Sequence, residues 1–92
     1  MLLIKQEKAK MQKFKHDNKE IESPFDQNII VYENEETIQN RFGGESVTVP
    51  GFAAAVYDVI IGSEMIQDWD KVQRGCDWFR KHFPKAYMVL LD

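Results

Sequence analysis

A chain of 92 residues with 43% hydrophobic and 12% aromatic side chains holds one small domain, whose thin stability margin leaves little room for a deep, water-excluding active site. No apolar run approaches the roughly 20 residues that span a bilayer; the run from Phe52 to Tyr57 ends at Asp58. The net charge of −3 hides an asymmetry: residues 1–20 carry +3 from six lysines against Glu7, Asp17 and Glu20, and residues 21–92 carry −6.

In chain order, residues 3–21 are rich in lysine, glutamine, glutamate and alanine, which favour helix. Ile4, Met11, Phe14 and Ile21 fall at intervals of 7, 3 and 7, a narrow a/d-type stripe. Residues 1–22 are therefore read as a basic N-terminal helical arm that lies on the body or pairs with a second copy. Ser23-Pro24 ends it. Residues 23–92 are read as a compact, mostly helical domain. Within it Ile29-Ile30-Val31-Tyr32 is β-branched and aromatic and favours a short strand. Glu33 to Phe42 reads as helical, with Ile38 and Phe42 on one face and Gly43-Gly44 closing it. A continuous helix from about Pro24 to Phe42 competes with that division. Glu45 to Val49 reads as a short strand or an extended linker.

Pro50 suits the first position of a helix, where its missing N–H costs nothing. Residues 50–66 form the most apolar helix, with Phe52, Val56, Val59, Ile60 and Ile66 sharing one side. Ala53, Ala54 and Ala55 admit a close neighbour, and Gly62 suggests a close helix crossing. Asp68 is an N-cap for a helix over 69–83. Its face Val72, Cys76, Phe79 and Phe83 keeps helical spacing, and Arg80, Lys81 and His82 complement the dipole at its end. Pro84 stops it. The apolar tail 86–91 is read as a further helix starting at Pro84, in preference to an edge strand beside residues 29–32. The fold class expected is mainly α: a small helical domain with a basic N-terminal helix and at most one short β-hairpin or strand pair.

Little in the chain carries chemistry. His16 and His82 have no partner at triad or metal-ligand spacing. Cys76, the one cysteine, admits no intrachain disulfide and lies on a buried face as an inert hydrophobe. Glu64, Asp68 and Asp70 cluster at a turn and lack the pattern of a calcium loop. Gly43-Gly44-Glu45-Ser46 lacks the ending of a phosphate loop. No metal or cofactor is expected. Met1-Leu2-Leu3-Ile4 is followed at once by Lys5, Glu7 and Lys8, which leaves no signal-peptide core. Two surfaces remain. Trp69, Arg74, Trp78 and Lys81 form a candidate partner-contact patch, because tryptophan and arginine are enriched in binding hot spots; on that reading Trp78 substitution weakens binding without unfolding. Lys5, Lys8, Lys10, Lys13, Lys15 and Lys19 form the alternative, a contact for nucleic acid or an acidic partner.

Residues 56–65 (Val56-Tyr57-Asp58-Val59-Ile60-Ile61-Gly62-Ser63-Glu64-Met65), 76–84 (Cys76-Asp77-Trp78-Phe79-Arg80-Lys81-His82-Phe83-Pro84) and 87–92 (Tyr87-Met88-Val89-Leu90-Leu91-Asp92) resemble small uncharacterised proteins encoded by tailed phages and prophages, over residues 50–92. The resemblance implies a phage or mobile element acting in the cytoplasm of a bacterial host, and it brings no catalytic residue. Small phage proteins of this size often bind a host protein, and inhibitors of bacterial defence complexes, anti-CRISPR-like proteins among them, are one class. The expected function is accordingly a non-enzymatic phage-type protein-binding module whose partner is a host or phage protein, with no membrane contact. The alternatives are a nucleic-acid-binding accessory protein using the lysine-rich arm, disfavoured by the acidic body, and a structural homo-oligomer of a phage joined through the arm.

Overall fold

The computed structural model describes residues 11–92. Its elements run β1 (Lys13–His16), β2 (Lys19–Glu22), β3 (Glu36–Gln39), β4 (Ser46–Val49), α1 (Gly51–Met65), α2 (Trp69–His82) and α3 (Pro84–Leu90). Two antiparallel hairpins, β1–β2 and β3–β4, precede three helices. The domain is α+β, and the mainly α expectation is corrected.

The largest correction falls on the N-terminal arm. Its residues before Met11 lie outside the described residues, but the segment read as its second half is a β-hairpin. Asp17 and Asn18 adopt φ of 50° and 64°, the left-handed pair that a two-residue hairpin turn requires and that these residue types tolerate best after glycine. Phe14 then faces Ile21, Lys15 faces Glu20 and Lys13 faces Glu22. The seven-residue interval from Phe14 to Ile21, which reads as a heptad step, is the separation of a cross-strand pair. Phe14 is buried and joins the main core.

The second correction covers residues 29–49. Ile29–Tyr32 is not a strand: the Gln12 side chain holds Ile29 instead, accepting from its N–H at 2.7 Å and donating to its carbonyl at 3.1 Å. Glu33–Phe42 is not a helix, since Glu36–Gln39 pairs with Ser46–Val49 in the register Glu36 to Val49 and Ile38 to Val47. Between the strands, the Asn40 side chain accepts from Phe42 N–H at 2.6 Å, an Asx turn. Gly43-Gly44 therefore sits in a hairpin loop, with no helix for it to cap.

From Pro50 onward the helices form where local signals place them, although Pro50, expected at the first helical position, stands one residue before it. Pro50 is the N-cap of α1, and its carbonyl accepts from Ala53 and Ala54 N–H at 2.9 and 3.1 Å. The first half of α1, Gly51 to Tyr57, is buried on every side, because α2 and the chain before Pro50 enclose it. α1 and α2 pack closely at Gly75, where an added Cβ would stand 2.3 Å from Ile60 Cγ1. At Gly62, where the sequence suggested it, nothing lies within 4 Å. Ile66, expected on the buried side, is exposed. Asp68 caps α2 by accepting from Lys71 N–H at 3.3 Å. Replacing it with alanine is expected to cost about 1 kcal/mol in a urea melt, and Asp68→Asn should restore most of that. The tail 84–90 is helical as preferred, and the strand alternative beside residues 29–32 is not formed.

The core is aromatic. Phe14 and Phe52 stack at 4.9 Å with 17° between planes. Trp78 stands edge-on to both at 6.3 Å, and Phe83 closes on Phe52 at 5.9 Å. Such offset and edge contacts add to the burial energy of the rings. Through them the β1–β2 hairpin is fastened to α1 and α2.

Candidate functional site

The two tryptophans on α2 have opposite fates. Trp78 is 6% exposed, and its Nε1–H donates to the Glu22 carbonyl at 2.7 Å. Its ring joins the core, and one edge floors a shallow groove of about 370 Å³ that Arg74 and Lys81 also line. Helical spacing of four and three puts Arg74, Trp78 and Lys81 on one flank. Arg74 is engaged there by Asp70 at 3.2 Å and Asp26 at 3.7 Å. Trp69 lies at the other end of α2, away from that flank.

Trp69 belongs to a different surface. Phe42, Met65, Ile66 and Trp69 are 87%, 79%, 74% and 59% exposed. Met65 ends α1, Ile66 follows it, and Trp69 opens α2 one tight turn later. That turn is made by Gln67 at φ 61° and by Asp68 N–H donating to the Ser63 carbonyl at 2.8 Å. The β3–β4 loop is drawn to the same end by Arg41, whose Nη1 meets Glu64 Oε1 at 3.0 Å. Arg41 also lies over the Phe42 ring at 5.1 Å, a cation–π contact that holds the ring outward. Sequence reasoning flagged Trp69 here but assigned Phe42 and Ile66 to buried helix faces. Asn40, two residues before Phe42, was the one available sign that Phe42 rides on a loop.

The lysines of residues 11–22 lie on the two strands of the β1–β2 hairpin. Lys5, Lys8 and Lys10 lie outside the described residues. Lys13 and Lys15 share the outer face of β1, directly opposite Glu22 and Glu20 on β2. Cross-strand pairs of opposite charge compensate each other, so this face alternates in sign and is not a cationic stripe. Lys19 pairs with His16 at the hairpin end.

His16 and His82, with Asp17, Glu20 and Lys81, line one groove of about 350 Å³ at the end of the β1–β2 hairpin, and His16 Nε2 stands 3.6 Å from Asp17 Oδ2; Cys76 and Tyr32 do not line it. Burial pushes the Cys76 thiol up, Glu64 and Asp77 add to that, and Arg80 opposes it; the thiol is held protonated at neutral pH and is a poor nucleophile. Burial, then the Lys81 charge, lowers the His82 imidazole, against the helix-end preference for a positive ring. His16 packs edge-on to Phe52 at 5.6 Å and tilted on Phe83 at 5.5 Å. Tyr32 donates its hydroxyl to the Asp58 carboxylate, and that bond raises the phenol. Among the described residues, no three His, Cys, Asp or Glu side chains gather where they could hold a metal ion. None of their helices is long and apolar enough to cross a membrane.

A groove of about 430 Å³ runs beside β1. Lys13, Phe14 and Lys15 form one wall, Val31 to Glu33 the other, and Pro50 and Phe52 the floor. With mixed charge at its lips and an apolar floor, it suits an extended chain better than a small polar substrate. No protein-family model, curated protein or solved structure matches this chain.

Proposed function

We propose that this chain is a non-enzymatic protein-binding module whose main contact surface is the α1–α2 corner. The observation that carries this reading is the exposure of Phe42, Met65, Ile66 and Trp69 at one end of the fold. All four are large apolar side chains, and exposed apolar groups of this kind gathered at one place mark a contact site. Arg41 and Glu64 at its margin give it the polar rim that surrounds an interface core. The groove that His16 and His82 share is lined by no serine, threonine or cysteine, which supports the non-enzymatic part. The phage-type resemblance directs the search for a partner to bacterial host proteins, defence complexes first. The alternation of Lys13 and Lys15 with Glu20 and Glu22 weighs against the nucleic-acid alternative, which needs uncompensated cations along a phosphate backbone.

Ile66→Asp and Trp69→Ala should leave folding within about 0.5 kcal/mol of wild type, because surface side chains contribute little to stability. A host protein retained stoichiometrically by the wild type should bind each variant at least tenfold more weakly, as loss of a hot-spot side chain does. Equal retention by wild type and variants rejects the corner. A concentration-dependent dimer of the wild type, abolished by Ile66→Asp in light scattering, reassigns the surface to self-assembly.

A further inference from the structure

Beyond the α1–α2 corner, the outer edge of β1 has no strand partner among the described residues, and the hairpin's register says which backbone groups that edge offers. The two-residue turn at Asp17-Asn18 makes His16 and Lys19 the closing hydrogen-bonded pair. At the other end Ser23 N–H donates to the Gln12 carbonyl at 2.7 Å. Hydrogen-bonded pairs alternate along an antiparallel ladder, so Gln12, Phe14 and His16 direct their backbone groups to β2. Lys13 and Lys15 direct theirs away from it, into the groove of about 430 Å³. No β2 residue lines that groove.

The neighbouring chain starts alongside this edge and then leaves it. Gln12 grips both backbone groups of Ile29 at the groove's mouth. Tyr32 is then drawn off by its bond to Asp58 on α1, and the backbone of Tyr32 and Asn34 rests against Gly51. A wedge opens between β1 and residues 31–35, floored by Phe52 and Pro50.

We infer that this edge is a docking site for an extended segment of a partner protein, which adds to the β1–β2 ribbon as a third strand with acidic side chains beside Lys13 and Lys15 and apolar ones turned inward onto Phe14 and Phe52. Strand addition of this kind draws affinity from main-chain hydrogen bonds and specificity from alternate side chains. Charge identifies the occupant. The outer face already alternates Glu22 and Glu20 on β2 with Lys13 and Lys15 on β1, and an acidic third strand continues that alternation. A second copy of β1 does not fit: antiparallel pairing centred on Phe14 sets Lys13 opposite Lys15 of the other copy, and like charges directly opposite repel. Glu33 and Glu35 on the far lip confine the partner's acids to the side above β1.

The probes are two blocked peptides of the same length, acetyl-Glu-Val-Glu-Val-Glu-amide and its lysine counterpart, titrated into the isotopically labelled full chain and followed by backbone amide resonances. The acidic peptide is expected to shift the Lys13 and Lys15 amides, to slow their hydrogen exchange, and to bind at least about tenfold more tightly than the basic one, as complementary charge requires. A version N-methylated on the backbone, and the variant Lys13→Gln with Lys15→Gln, should each lose about tenfold. The proposal is overturned if the Lys13 and Lys15 amides stay unshifted, if both peptides bind equally, or if the shifts fall on the α1–α2 corner instead.

Discussion

Trp78→Ala is expected to remove about 3–5 kcal/mol of stability, the range for truncating a buried large aromatic side chain. That is a large share of the total available to a domain this small. The reason is position. The indole touches Phe14, Phe52, Phe79 and Phe83, so its loss opens a cavity where the hairpin, α1 and α2 meet. It also strips the Glu22 carbonyl of its donor, which releases the end of β2. Trp78→Phe separates the two effects: the ring volume is largely kept, the Nε1–H is lost, and about 1–3 kcal/mol should go with it. Urea denaturation followed by far-ultraviolet circular dichroism measures both. A Trp78→Ala variant within about 1 kcal/mol of wild type would mean that the ring is not part of this core. Any loss of partner binding in that variant reports unfolding first, so the α1–α2 corner is tested through Ile66 and Trp69.

Gly51→Ala should lower stability by about 3 kcal/mol, at the upper end of what overpacking costs, although alanine is the better helix former. A Cβ on Gly51 would stand 2.0 Å from the Tyr32 carbonyl oxygen and 2.8 Å from that of Asn34. Both are backbone atoms, so no rotamer change relieves the clash. The chain over residues 31–34 must lift, and the Tyr32–Asp58 bond goes with it. Gly62→Ala is the matched control. With nothing within 4 Å and a position inside α1, it should gain about 1 kcal/mol from helix propensity alone. Thermal melts of the pair should move in opposite directions. Two variants that both stabilise would show that residues 32–34 do not press on α1. The same lift of 31–34 widens the groove beside β1, so Gly51→Ala should also change the amide resonances of Lys13 and Lys15.

Of the surfaces, Trp69 was legible as a candidate contact because a tryptophan at a helix start has few neighbours on its own helix. Its companions were not. Ile66 continues the apolar spacing of α1 but falls one residue past the last helical turn, where Gln67 at φ 61° swings the chain away from the core. Phe42 keeps helical spacing with Ile38, yet Ile38 is in β3 and Phe42 in the loop after it. Arg74 and Lys81 line one groove with Trp78, a relation that helix periodicity alone sets. That Trp78 turns its ring inward was decided by β2, whose Glu22 carbonyl receives the indole.

The helices of the C-terminal half were determined by the sequence itself. Pro50, Asp68 and Pro84 mark their starts, apolar residues recur at helical intervals, and every backbone bond of a helix closes within four residues, so local signals suffice. The strands of the N-terminal half are different in kind. Lysine, glutamate and glutamine between residues 11 and 22 favour helix locally, and only the pairing of Phe14 with Ile21, and their burial against Phe52 and Trp78, outweighs that preference. A strand's bonds are made to another segment, and its worth depends on the face it covers. The same holds for the glycines: Gly51, Gly62 and Gly75 look alike in the sequence, and only the neighbours packed against each decide which tolerates a side chain. The net charge of −3 was legible from composition. That the lysines of β1 stand opposite glutamates, while their backbone faces an open groove, was decided by the register of one hairpin.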